Sequence, residues 1–372
     1  MSEETQVARI GSGTRAQRMA RGSFGPLPAR ARDPGITATS LLVGFAVALT
    51  FVLAIAVAIP LLQREAGDGL GEEFAYDLKL LLEVDPALVH YEESLQFDVG
   101  IDDPRAVDVG PGDSIYVAVA KSIRSFTREG GPLSEAALGD IARCLDVTPD
   151  GTIYGGARDH VEVFDPKGAR KATWESLGEK ATLTSIAAWQ DGVYVADGGQ
   201  RVVWRYDLAG KLVGDLGRKR SPDEAALFFV PSPYFDVAVS PEGLLYVANG
   251  GKHRIEAYSA DGRLQSFWGQ GSAAIEGFCG CCNPCNFALL PGGGFVTCEK
   301  GLPRVKIHDE KGVFRSVVAA PAKFVEGERG LHQDWRQSSE AGLDVAVDSQ
   351  GRIIVLDPLG KRVRIFVKAR KG

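Results

Sequence analysis

This chain is short of histidine, of cysteine outside one segment, and of concentrated positive charge between its two ends. Five histidines, His90, His160, His253, His308 and His332, are scattered over 372 residues without metal-site spacing. No C-x-x-C-H occurs, which excludes covalent c-type haem. The net charge of −6 and isoelectric point near 5.6 leave no basic surface for phosphate recognition, so nucleic acid is not an expected partner. The basic C-terminal run "KRVRIFVKARKG" alternates like a strand and reads as a solvated strand end. What remains is an acidic, 45% hydrophobic chain, long enough for one large domain or two ordinary ones.

One stretch lacks charge of either sign. Residues 37–62, "TATSLLVGFAVALTFVLAIAVAIPLL", carry no Asp, Glu, Lys or Arg. As a helix this stretch would measure about 39 Å at ~1.5 Å per residue, against a hydrocarbon core of about 30 Å. It is too long and too far from the start for a cleaved signal peptide, so it reads as an uncleaved signal-anchor. Six arginines precede it against three acids, and the acidic "REAGDGLGEEFAYD" follows. That asymmetry predicts a single-pass cell-membrane protein with residues 1–36 as a basic cytoplasmic tail and the rest extracytoplasmic, where disulfides persist. Residues 63–93 read as a stalk and 369–372 as a short tail.

Beyond the anchor the sequence repeats. Residues 235–269, "FDVAVSPEGLLYVANGGKHRIEAYSADGRLQSFWG", contain an apolar strand, a Pro/Gly turn, a second strand, a Gly loop, a third strand, the turn "SADG" and a fourth strand. The same order recurs from Val107, Leu145, Ile186, Phe287 and Val345. Four-stranded units at such a period predict an all-β, six-bladed β-propeller over 94–368. The last unit stops after its third strand, and "SLQFDVG" at 94–100 stands alone before the first. That lone strand is expected to close the ring by pairing Leu95–Val99 with Arg362–Val367.

The units resemble NHL repeats, whose apolar strand, D-x-x-G turn, "VAD"-like ending, "RI", aromatic and "DG" are matched best by residues 235–269. The strings "VPSPYFDVAV", "GFCGCCNP" and "EKGLPRVK" are similar to those of membrane-anchored bacterial NHL proteins without an assigned activity. The resemblance implies the fold and leaves the chemistry open, because NHL propellers include lyases, lactonase-like hydrolases and binding modules.

Four of the six cysteines fall between 279 and 285, in "GFCGCCNPCNF". Pairing "CNFALL" with "GFVTCE" places Cys298 opposite Cys285 or Asn286, so Cys279, Cys281, Cys282, Cys285 and Cys298 are expected at the channel mouth. Cys298 also occupies the turn position held elsewhere by Asp197, Asn249 and Asp357. Three readings stand: disulfides, a thiolate site for zinc or an iron–sulfur cluster, and a redox-active Cys282-Asn283-Pro284-Cys285 pair. Adjacent Cys281 and Cys282 are expected to choose different partners, because their Cα atoms are only ~3.8 Å apart. Cys144 aligns with Asn286 in a distant blade and reads as a small buried residue.

First-strand alignment sets Asp236, Asn286 and Asp344 at one height around the channel, with Arg105 and Arg143 one residue earlier in their blades. Such oxygens suit Ca²⁺ or Mg²⁺ as ligands, or cap local backbone as strand-start residues. The longest insertions, 217–234, 269–284 and 319–342, follow fourth strands and so share the cysteines' face. The last carries His332, Trp335 and Arg336, candidates for anchoring a protein partner. The leading expectation is a binding or assembly module with a cysteine-rich, redox-linked top face. The alternative, implied by a resemblance to gluconolactonase-type propellers, is a metal-dependent hydrolase using the channel.

Overall fold

The computed structural model describes residues 49–50, 82–100, 102–190, 192–219, 221, 225–325 and 342–370. The chain divides into two units, 1–75 and 76–372. Of the first, Leu49 and Thr50 are described, and both are helical. The expected anchor, 37–62, otherwise lies outside the described residues, among which no helix is long and apolar enough to cross a membrane.

The second unit is a six-bladed propeller of four-stranded antiparallel sheets. Numbering strands in chain order, the innermost are β2 (Pro104–Val109), β6 (Cys144–Val147), β10 (Leu183–Trp189), β14 (Val237–Val239), β18 (Asn286–Leu289) and β22 (Asp344–Val347). Each blade then runs outward through three further strands, and blades are numbered here in that order. The hairpin turns follow from sequence. In blade 2, Asp165 Oδ1 accepts from the Lys167 and Ala169 amides while Gly168 takes φ +81°, a left-handed conformation that costs glycine little. Asp207/Gly210, Asp309/Gly312 and Asp348/Gly351 repeat the arrangement.

The second strands of the blades are buried on both faces, so they read as nearly continuous apolar runs, whereas the innermost strands are partly exposed and the outer strand of blade 4, Leu264–Trp268, is largely exposed. The core lies between blades: Val117 and Ile115 of blade 1 pack with Ile354 and Ile365 of blade 6, and Val296 of blade 5 packs with Val355 on the other side of blade 6. Closure is by the expected strand. β1 (Tyr91–Asp98) pairs antiparallel with β24 (Arg362–Lys368), Leu95 opposite Ile365 and Phe97 opposite Val363. The boundary moves, however. β1 begins at Tyr91, three residues inside the expected stalk, and the His90 amide donates to the Val317 carbonyl of blade 5. Backbone pairing with blades 5 and 6 makes this segment part of the ring.

Candidate functional site

The inner strands surround a channel of about 520 Å³, and their polar side chains are tied into the neighbouring blade all the way round. Asp344 Oδ2 accepts from the Val107 amide at 2.8 Å, Asp108 Oδ2 from Val147 at 2.7 Å, and Asp146 Oδ2 from Ala188 at 3.3 Å. Ser185 Oγ accepts from Val237 at 3.2 Å, Asp236 Oδ2 from Phe287 at 2.8 Å, and Asn286 Nδ2 donates to the Leu343 carbonyl at 2.8 Å. Six blades therefore carry six interblade latches. Asp108, Asp236 and Asp344 also accept from the amide of their own following residue. Burial pushes Asp236 up to about 6 and Asp108 up to about 7, and holds Asp146 and Asp344 well above the usual carboxylate range.

The structure thus brings the expected Asp236, Asn286 and Asp344 to the channel wall and assigns them to blade-to-blade contact. Asp108, Asp146 and Ser185 complete the ring and were not singled out by alignment. Their blades place Ala106, Cys144 and Ser185 at the Asp236 level, so blades 1 and 2 supply the carboxylate two residues later on the same strand face. The alternating "VDV" and "LDV" carried that signal. Above the acids lie Arg105 and Arg143. Arg105 pairs with Asp103 at 2.8 Å. Arg143 has a buried Nε without a partner among the described residues, and burial together with Arg105 lowers its pKa.

The five clustered cysteines separate into different environments. The pairing register is Asn286 opposite Cys298, inside the expected window. Cys285 and Cys298 are fully buried in one apolar core, and the Cys285 thiol donates to the Cys298 carbonyl at 3.2 Å. Burial pushes both thiols up, so neither is a ready thiolate. Of the three readings, a Cys282–Cys285 redox pair would thus have to draw on a fully buried Cys285 thiol. Cys279 packs with Leu82, Leu302 and Val325. Cys281 and Cys282, expected to diverge, instead hold their sulfurs 3.4 Å apart. All six cysteines are free thiols, and Cys144 stands apart in blade 2, packed against Gly156 and Ile186. Among the described residues no three His, Cys, Asp or Glu side chains come together in a group that would hold a metal ion. The zinc or iron–sulfur expectation for the five cysteines, and the divalent-cation expectation for Asp236, Asn286 and Asp344, therefore find no assembled ligand set there. His332, Trp335 and Arg336 lie outside the described residues.

The cysteine loop is anchored by a hairpin acid. Glu299, fully buried, accepts from the Cys279 amide at 2.8 Å and pairs with Arg304 at 2.7 Å and Lys306 at 2.8 Å. Lys306 Nζ then donates to the Gly277 carbonyl at 2.6 Å and lies 4.6 Å from the Phe278 ring centroid. Asn283 Nδ2 donates to the Cys279 and Lys300 carbonyls, its Oδ1 accepts from the Lys300 amide, and the His253 ring meets the Asn283 carbonyl at 3.3 Å. Every polar group of the loop named here has a partner on a blade hairpin or within the loop.

No protein-family model and no curated protein matches this chain. Solved structures match over the propeller. A streptogramin B lyase aligns with 12% identity and TM-score 0.51, covering 77% of this chain and 100% of that one. The WD40 β-propeller domain of Doa1 aligns with 14% identity and TM-score 0.52, covering 76% and 98%. A protein of unknown function from Bacteroides thetaiotaomicron aligns with 14% identity and TM-score 0.51, covering 74% and 75%. At these identities the likeness is one of fold: this chain is a propeller similar to those of a lyase and of a WD40 domain.

Proposed function

We propose that this chain is a membrane-anchored, extracytoplasmic propeller of NHL type that works as a binding or assembly module, with a protein partner seated on the top face. The observation that carries this reading is the latch ring. Asp108, Asp236 and Asp344 each hold two backbone amides, one of them in the next blade, so the acids facing the channel serve closure of the ring. A hydrolase using them as metal ligands would need those oxygens turned toward the channel. The mouth above them offers Arg105 and Arg143, suited to an acidic side chain or chain terminus of a partner. The anchor rests on the uncharged run 37–62 and the arginines before it.

The reading is tested by photo-crosslinking in native membranes, with the reactive residue at Leu359 beside the mouth or at Ser349 in a turn at the opposite end of blade 6. A discrete adduct at Leu359 alone, weakened by Arg105→Glu with Arg143→Glu, is expected. Equal adducts at both positions, or turnover of a lactone or ester panel that Asp236→Asn abolishes, would overturn it. A reporter fused at Gly372 should be protease-accessible in intact cells, and a protected reporter removes the extracytoplasmic placement.

A further inference from the structure

Cys281 and Cys282 differ from the other four cysteines in both access and setting. Cys281 is exposed and Cys282 is buried beneath it, with the two sulfurs 3.4 Å apart. The loop bearing them is held from below by Glu299, Arg304 and Lys306, and from the sides by Asn283, Lys300 and His253. Gly250 of blade 4 lets this close seat form: a Cβ there would lie 3.1 Å from the Cys282 carbonyl oxygen. Burial opposes ionisation of Cys282, but the Ser232 hydroxyl, the Lys300 ammonium and the Cys281 thiol around it more than offset that, and its pKa falls below the ordinary thiol value. Lys300 in turn lies 5.2 Å from the ring centroid of Tyr234, which lines the channel mouth.

We infer that Cys281 and Cys282 form a dithiol centre on the propeller rim that exchanges with disulfide-bearing molecules. The exposed Cys281, whose pKa is raised by its hydrogen bond to the Cys282 sulfur, gives up its proton to solvent as it attacks one sulfur of the incoming disulfide. An S–S bond forms at Cys281, and the disulfide's second sulfur leaves as a thiolate that takes up a proton. The Cys282 thiolate, held beside Lys300, then attacks Cys281 Sγ and expels the first sulfur, which is protonated in turn. One disulfide is reduced to two thiols while Cys281 and Cys282 are oxidised to one bond. Because adjacent Cα atoms are only ~3.8 Å apart, below the usual disulfide range, that bond is readily reduced again, which suits exchange rather than permanent cross-linking. Neither Cys285 nor Cys298 can take this role, since both are fully buried.

The full-length chain incubated with oxidised glutathione tests the assignment by peptide mass. The wild-type peptide carrying Cys281 and Cys282 should lose two hydrogens and retain no glutathione. Cys282→Ser, lacking the second thiol, should hold glutathione on Cys281, and Cys281→Ser should react about tenfold more slowly, because the remaining thiol is buried. Lys300→Met should slow release of glutathione from the wild-type pair about threefold, the loss of thiolate being partly offset by its higher nucleophilicity. Glutathione retained on wild-type Cys281, a bond mapping to Cys285 and Cys298 instead, or no reaction at all would each overturn the inference.

Discussion

Blades 3 and 5 solve the same problem with different chemistry. In each, the hairpin between second and third strands must hold the long loop that leads into the blade. Blade 3 uses Asp197, whose Oδ1 accepts from the Thr182 amide at 2.9 Å and the Gln200 amide at 3.0 Å, and whose Oδ2 accepts from Gln200 Nε2 and Trp204 Nε1. All four donors are neutral. Blade 5 has Glu299 at that position, facing Arg304 as Asn249 faces Arg254 and Asp357 faces Arg362. Cys298, expected there from the sequence, falls one residue earlier, level with Ala196 and Ala248. Arg304 and Lys306 compensate the Glu299 charge. At the same place in the hairpin, the longer Glu299 side chain reaches a longer loop, at the cost of burying three ions. Burial lowers Lys306 to about 8, a direct sign of that cost.

The largest expected effect therefore falls on blade 5. Glu299→Gln leaves Arg304 and Lys306 buried without their carboxylate, and should destabilise the propeller by about 3–5 kcal/mol in chemical denaturation. The same change leaves one acceptor oxygen where the Cys279 amide, Arg304 and Lys306 all donated, so the loop loosens and alkylation of Cys282 should accelerate while Cys144 remains protected. Asp197→Asn keeps an oxygen for the Thr182 and Gln200 amides but turns a donor toward Gln200 Nε2 and Trp204 Nε1. Its cost should be smaller, about 1–3 kcal/mol, the range for buried groups left unpaired. If the two substitutions cost the same, or Asp197→Asn costs more, the distinction between an ionic and a neutral anchor is void.

This contrast also marks how far the sequence could be read. The ring was legible because its signals are local: an Asp, Ser or Thr three residues before a glycine at most turns, apolar strands between turns, and a strand count one short at the C-terminus that Leu95 to Val99 could fill. Register at Cys298 was legible only to within one residue from the turn at Gly292 and Gly293, and the equivalence drawn between Cys298 and Asp197 or Asn249 is one residue off, since Glu299 holds that position. The loop from Gly277 to Cys285 was not legible. Its conformation is set by Glu299, Lys300, His253 and Gly250, which lie on two different hairpins, so spacing within the loop gave no means of telling that Cys281 would meet Cys282. The channel was half legible. Alignment found Asp236, Asn286 and Asp344 but passed over Asp108 and Asp146, because two blades place their latch two residues further along the strand.

The channel acids extend the comparison to a third setting, a buried carboxyl held by backbone amides and, at Asp236, by the Ser185 hydroxyl as well. Asp236 holds the Val237 and Phe287 amides, yet burial still raises its pKa to about 6. In the unfolded chain the same group ionises near the ordinary Asp value of about 4. Between these values the folded state binds more protons than the unfolded one, so stability falls as pH rises. Its contribution is complete below about 4 and is lost as pH passes through about 6, with a slope of at most about 1.4 kcal/mol per pH unit for this one proton. Asp236→Asn removes the titration while leaving an oxygen for one amide. Denaturation midpoints measured from pH 4 to 7 should therefore decline less steeply in Asp236→Asn than in the wild type, by the share that this carboxyl carries. An unchanged slope would mean that Asp236 does not take up its proton in the folded ring over this range, and would overturn the assignment of a raised pKa to this channel carboxyl.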